Sequence, residues 1–326
     1  MPSPAKTCPP RLFAVHPRER LFRRLDDARA QAVVWIAGPP GAGKTALVAS
    51  YLQARARPSL WYQVDAGDAD PATFFYCLGR EVARGQKGRP LPLVTPEHAR
   101  DLPAFTRRFF RELGDRLPQS ATLVFDDVHE GGRRFAVLLR DGLAELRDGV
   151  RVFLVGRDEP GAELARLRAA PRAQRIGWDD LRLRPAETEA VARLLRHEPR
   201  VGRALHARSA GWVAGLVLLL QGGSTTTRRL EVGSREDAFA GLAGEIVDRL
   251  SAASRDTLVR TAFLPRLTPR MAEDLSGNAR AGRLLEDLHR SNFFTARKAT
   301  PDSVYEYHGL LRGFLLARGR AALPAN

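Results

Sequence analysis

Apolar residues in the first half of the chain fall into short runs rich in β-branched side chains, separated by longer stretches of helical spacing. The runs at 33–37 (VVWIA), 60–64, 122–125 and 150–155 have no polar alternation, as expected of parallel strands covered on both faces. Segments 19–30, 45–55, 72–83, 104–116 and 135–147 repeat their apolar positions every three or four residues and read as helices. Strands alternating with helices in this way predict an α/β fold, three layers around a parallel sheet. Such sheets bind ligands outside the carboxyl ends of their strands. Three polar loops fall there: the one opening at Asp65, the Asp126-Asp127 pair, and Gly156-Arg157-Asp158.

After about residue 180 the strand signals fade. Segments 185–195 and 201–220 read as two helices, with Pro185 suited to a first helical turn. Residues 221–237 are polar and rich in Gly, Ser and Thr, a linker composition. Helical patterns resume at 239–250, 254–261 and 280–290. A hairpin then runs from 293–297 through Thr300-Pro301-Asp302 to 304–308, and a last helix covers 310–318. Three helices and a hairpin predict a small winged-helix-like unit. The division is a nucleotide-binding domain at 1–180, a helical lid subdomain at 181–222, a linker at 223–237 and a winged-helix-like domain at 238–326.

Composition narrows the class. A chain of 326 residues with 44% hydrophobic and 27% charged positions suits two or three packed globular units. Cys8 and Cys77 are the only cysteines, too few for a disulfide framework or zinc knuckle, and they fit a reducing compartment. The N-terminus has no apolar signal-peptide core, and the most apolar stretch, 212–220, is too short to span a bilayer. These features predict a cytoplasmic protein without membrane attachment. The net charge of +15 invites a nucleic-acid reading. Yet only four of the 52 cations are lysines and the excess forms no basic tail, so an arginine-biased composition outweighs a binding surface.

One motif carries definite chemistry. Gly38-Pro39-Pro40-Gly41-Ala42-Gly43-Lys44-Thr45 matches G-x-x-x-x-G-K-[ST] in full, between a strand and a helix, with Ala46 continuing into the helix. Glycines let successive backbone N–H groups curl around phosphates, and the helix adds its positive end. Lys44 would reach the β- and γ-phosphates, and the Thr45 hydroxyl would ligate magnesium. Asp126 and Asp127 close an apolar strand as a Walker B element does: the first carboxylate as metal ligand, the second as orienter or base for an attacking water. Arg157 follows the next strand, placed to sense a γ-phosphate, though a surface arginine reads as readily. No N-K-x-D guanine-reading element occurs, so ATP or ADP is the nucleotide by elimination.

Together these motifs resemble the ATPase core of the MalT-like, LuxR-type transcriptional regulators, members of the STAND class of signal-transduction ATPases. The resemblance runs in order through Arg18-Glu-Arg-Leu21, the phosphate loop, Trp61 to Asp65, Asp70 to Phe74, Phe125 to His129, Gly156 to Pro160, 180–187, 209–216, Asn292-Phe-Phe294 and Tyr307 to Leu311. It implies an ATP/ADP switch with slow magnesium-dependent hydrolysis, self-association in the ATP state, and an unidentified protein partner. It places His308 where the winged helix touches bound nucleotide, against the alternative of a histidine satisfied by local backbone. Trp212 falls where relatives carry a lid tryptophan, which packing explains equally well. His129 reads as structural. Gly309 replaces a usual proline. Relatives continue into helical repeats and a helix-turn-helix, which the residues up to Asn326 do not supply, so direct DNA binding by this chain is not expected. Two other readings are a P-loop small-molecule kinase, with the Arg-rich stretch 166–175 as its lid, and a DNA-binding winged-helix module.

Overall fold

The computed structural model describes residues 5–27, 33–85, 90–118, 120–157, 161–164, 173–222, 235–291, 293–298, 300 and 302–322. Most of the linker, Asp158 to Pro160, most of the Arg-rich stretch, Asn292 and Pro301 lie outside the described residues. In chain order the elements are β1 (Pro10–Arg11), α1 (Glu19–Asp27), β2 (Val33–Ala37), α2 (Lys44–Ala54), β3 (Ser59–Gln63), α3 (Pro71–Gly85), α4 (Leu102–Arg116), β4 (Thr122–Asp126), α5 (Gly132–Leu143), β5 (Arg151–Gly156) and β6 (Gln174–Ile176). Then follow α6 (Pro185–Leu194), α7 (Pro199–Ser209), α8 (Val213–Gly222), α9 (Arg235–Asp248), α10 (Ala252–Thr261), α11 (Pro269–Ser276), α12 (Ala281–Arg290), β7 (Thr295–Lys298), β8 (Tyr305–Tyr307) and α13 (Gly309–Ala322). They form two compact units: residues 1–9, 18–39 and 47–180, and residues 10–17, 40–46 and 181–326.

The first unit is built on a five-stranded parallel sheet in the order β3-β4-β5-β2-β6. All five residues of β4 are buried, as both covered faces require. One face packs on a cluster of phenylalanines from α3, α4, α5 and β4: Phe74, Phe75, Phe105, Phe109, Phe110, Phe125 and Phe135. Each ring removed from water contributes roughly 1.5–3 kcal/mol, so this face anchors the strand ends that carry the polar loops. The fifth strand, β6, was absent from the sequence reading, which ended the sheet at 150–155. Three residues, Gln-Arg-Ile, are too short to show a period, and β6 joins the sheet only by pairing beside β2.

The turn after β3 is tied down by a buried carboxylate. Asp68 accepts from the Tyr62 hydroxyl at 2.6 Å and the Asp65 N–H at 2.8 Å, and pairs with the Lys6 ammonium at 2.8 Å. Burial, with Asp68 alongside, pushes the Tyr62 phenol far above its ordinary range, so it stays a donor.

The second unit opens with α6, α7 and α8. Sequence periodicity predicted one helix over 201–220, and the structure corrects this. α7 stops where Ala210 and Gly211 turn left-handed (φ +48° and +73°), and α8 starts anew at Val213. A Cβ on Gly211 would meet the Leu183 carbonyl oxygen at 2.8 Å, so the break needs glycine. Among its described residues the winged-helix part holds five helices, α9 to α13, rather than the three and a terminal one expected. The added α11 has Thr268 as N-cap and Pro269 in its first turn, signals too local to reveal an eight-residue helix by periodicity. β7 and β8 pair antiparallel as the hairpin predicted, and β1 joins β7 as a third strand. Thr261 and Tyr307 share a buried hydrogen bond of 2.8 Å that ties the hairpin to α10.

Candidate nucleotide site

In the first unit, the carboxyl ends of β3, β4, β5 and β2 lie along one edge of the sheet, which brings Gln63, Asp126, Asp127 and Arg157 to that edge. Asp126 is 1% exposed, and its Oδ1 accepts the Asp127 N–H at 3.1 Å. Asp127 is left-handed (φ +58°), an uncommon conformation that aspartate tolerates better than most residues. Its Oδ2 accepts from Gln63 Nε2 at 3.4 Å. Arg157 has one guanidinium nitrogen 3.8 Å from Glu130 Oε1, and that same oxygen is 3.1 Å from His129 Nε2. Gly38 and Pro39 open the loop from β2, and the Gly38 N–H donates to the Gly156 carbonyl at 3.4 Å. Asp70, after β3, caps α3. Hydrogen bonds from the Thr73 hydroxyl and N–H hold its carboxyl below the usual carboxylate range.

The second unit holds residues 40–46 of the loop and what packs on them. Gly41 and Gly43 are left-handed (φ +74° and +80°) on either side of Ala42. Backbone alternating in this way turns its N–H groups into one concavity, the arrangement that receives anionic oxygens. α2 begins at Lys44, with no acidic residue in its first turn to compete for an anion. Lys44 is 8% exposed and Ala42 fully buried, while Thr45 and Ala46 continue the helix.

Three partners fix the loop backbone. The Trp212 indole N–H donates to the Pro40 carbonyl at 3.0 Å, and the Ala214 N–H to the Gly41 carbonyl at 3.1 Å. Both groups come from the α7–α8 break, so the element missed by periodicity is the one that grips the loop. The third partner is His308. Its Nε2 faces the Gly41 N–H at 3.3 Å, and its Nδ1 faces the Leu310 N–H at 3.2 Å.

These two contacts with His308 cannot both be hydrogen bonds. A neutral imidazole has one acceptor nitrogen, and an imidazolium none. The Leu310 N–H, in the first turn of α13, and the Gly41 N–H of the loop therefore compete for the one acceptor nitrogen of the ring. The two readings of His308 in the sequence, a nucleotide contact or satisfaction by local backbone, therefore fall on different nitrogens of one ring.

The loop conformation, with left-handed Gly41 and Gly43 turning the N–H groups into one concavity, fits a phosphate. A hydroxyl such as that of Thr45 and a carboxylate such as that of Asp126 are each oxygen donors of the kind that magnesium takes. Sequence reasoning did not find Gln63, Glu130 or Ala214. No motif marks them, and only strand order or the helix break brings them to their places. In the winged-helix part, Arg260, Arg283, Arg290, Arg297, Lys298 and Arg318 each pair with a nearby carboxylate, so these cations are partly neutralised locally rather than massed for a phosphate backbone.

Comparison with known proteins accords with this geometry. Residues 243–326 match the MalT winged helix domain family. Over 331 aligned residues the chain is 24% identical to the HTH-type transcriptional regulator MalT of Cronobacter sakazakii, an alignment covering 95% of this chain and 36% of that protein. The chain therefore spans about a third of the length of that curated relative. Among solved structures it is similar to a signal transduction ATPase with numerous domains (STAND) carrying a tetratricopeptide repeat sensor, from Pyrococcus horikoshii. The TM-score is 0.69 at 19% identity, over 96% of this chain and 43% of that one. None of the helices among the described residues is long and apolar enough to cross a membrane. The chain therefore shares the fold of that STAND ATPase, matches the MalT winged helix domain family over residues 243–326, and is similar to MalT along 95% of its length.

Proposed function

We propose that the chain is an ATP/ADP-responsive switch, the nucleotide-binding part of a regulatory ATPase whose slow hydrolysis resets its conformation. The observation that carries this reading is the contact of His308 Nε2 with the Gly41 N–H of the phosphate loop. A phosphate oxygen accepting from the Gly41 N–H would release Nε2 to carry a proton and donate to the same anion. Phosphate occupancy would then favour the closed arrangement of the winged helix on residues 40–46.

In this reading the backbone from Gly38 to Ala46 cradles the phosphates and Lys44 neutralises them. Thr45 and Asp126 would hold magnesium, which when bound supplies charge stabilisation at the transferring phosphoryl group. Asp127 orients the attacking water and accepts its proton. Arg157, held by Glu130 at 3.8 Å, reads the γ-phosphate by exchanging that carboxylate for it. The MalT likeness supports a place in transcriptional regulation in the cytoplasm, with self-association in the ATP state and a protein partner relaying the signal.

The test is to denature purified protein, identify the nucleotide released, and follow phosphate release from ATP with magnesium. Bound adenine nucleotide and slow turnover, both lost in Lys44→Ala, are the expected results. Absence of bound nucleotide together with no measurable ATP affinity would overturn the proposal.

A further inference from the structure

We infer that Gln63 is a positioning residue for the Asp127 carboxylate, fixing which of its oxygens is left to act on water. This rests on the reading of Asp127 as the general base given above.

The argument starts with the sheet. β3 and β4 are adjacent and parallel, and Gln63 stands opposite Asp126 in the register. Both are final residues of their strands, and Gln63 is 9% exposed. The next residue of β4's chain, Asp127, leaves the strand left-handed, and its own N–H is taken up by Asp126 Oδ1. Its side chain makes no hydrogen bond to the 3₁₀ turn that follows. A carboxylate so placed has rotational freedom about its side-chain bonds, and a base that wanders loses efficiency. The Gln63 amide removes that freedom by donating to Oδ2 at 3.4 Å.

Gln63 is itself well supported. Two residues on, Asp65 N–H donates to the buried Asp68, which also holds Lys6 and Tyr62, the residue before Gln63. The adjoining Val64 N–H donates to the Asp126 carbonyl at 2.8 Å, stitching the end of β3 to β4. The amide is therefore presented from a rigid strand end. With Oδ2 occupied by a donor, Oδ1 is the oxygen directed to a water.

An amide matters here, and charge reversal exposes it. Gln63→Glu keeps the length but sets a second carboxylate against Asp127, replacing a donor with an acceptor so that the hydrogen bond is lost. Exchanging both residues, Gln63→Glu with Asp127→Asn, restores one hydrogen bond with donor and acceptor reversed. A residue that merely filled space at the strand end would show neither effect.

The experiment has a stability arm and a kinetic arm on the full chain. Without nucleotide, thermal unfolding at neutral pH should show Gln63→Glu less stable than wild type, and the exchanged double variant should recover most of that loss. With ATP and magnesium, Gln63→Leu should lower kcat about tenfold while leaving KM for ATP unchanged, a part of the roughly 10²–10⁴-fold that a positioned acid–base group supplies. If the double variant is no more stable than Gln63→Glu, or if kcat of Gln63→Leu stays at the wild-type value in an active protein, the inference is overturned while the proposed function stands. A wild type with no turnover at all overturns both.

Discussion

Gly41→Ala tests the grip on the phosphate loop most sharply, because Gly277→Ala supplies a matched control. Both glycines lie in the second unit with similar left-handed backbones, φ +74° and +66°. A Cβ on Gly277 would meet nothing within 4 Å. One on Gly41 would meet Ala214 Cβ at 2.4 Å, Trp212 Nε1 at 3.0 Å and Leu310 Cδ1 at 3.2 Å. The conformational penalty of about 1–2 kcal/mol for a left-handed alanine is common to both variants. Gly41→Ala adds the cost of forcing a methyl into a packed site, about 1–3 kcal/mol. Ala214 Cβ cannot swing away, since it is fixed to the α8 backbone. Its displacement would also strain the hydrogen bonds from Trp212 and Ala214 to the loop. For a unit of this size about 1 kcal/mol shifts the melting temperature by roughly 2–4 °C, so Gly41→Ala should melt roughly 3–10 °C below Gly277→Ala. The assay is thermal unfolding of nucleotide-free protein. Equal melting temperatures for the two variants would refute the close packing of α8 and α13 on the loop.

Three other outcomes follow from the same contacts. Trp212→Phe keeps the ring but removes the N–H donated to Pro40, leaving a partly buried carbonyl without that partner; a loss of about 1 kcal/mol is expected in denaturant titration, and an unchanged midpoint would contradict the bond. Glu286 has its carboxyl held below its ordinary 4.5 by the Tyr305 hydroxyl, then by Arg290 and Arg297, outweighing the upward push of burial. A depressed carboxyl gives stability that is fully present above the unfolded pKa and lost as pH falls through the folded one. The gap between wild type and Glu286→Gln in thermal unfolding should therefore be full at neutral pH and close progressively below about pH 4.5; a gap independent of pH would contradict the assignment. Glu130→Gln releases Arg157 from its carboxylate and should tighten ATP relative to ADP, read by titration calorimetry, whereas an unchanged ratio would remove Arg157 as the γ-phosphate sensor.

The parallel sheet was legible because a strand covered on both faces must be uniformly apolar, and β2 to β5 obey that rule. The phosphate loop was legible because its chemistry demands glycines and a lysine at fixed spacing. The hairpin β7–β8 announced itself through a turn between two alternating runs. Strand order was not legible: β2 lies between β5 and β6, and nothing local to 33–37 states which runs will flank it. Gln63 was invisible for this reason, since its meaning comes from the strand beside it. The break at Ala210 and Gly211 was masked by continuous helical spacing on both sides, although Gly211 was the available stop signal. With one helix assumed there, packing explained Trp212 as well as a lid role did. With the helix broken, its indole reaches the loop. His308 shows the limit differently, because the conflict at its ring depends on two N–H groups far apart in sequence.

The account's central claim is that the loop and His308 together form a phosphate-binding site of a switch. Titrating ADP into nucleotide-free wild type and His308→Ala measures it directly. A donor to a charged oxygen is worth about 1.5–3 kcal/mol, so ADP should bind the variant roughly 10- to 150-fold more weakly. Equal ADP affinity in the two proteins, or no ADP binding by the wild type, would contradict it.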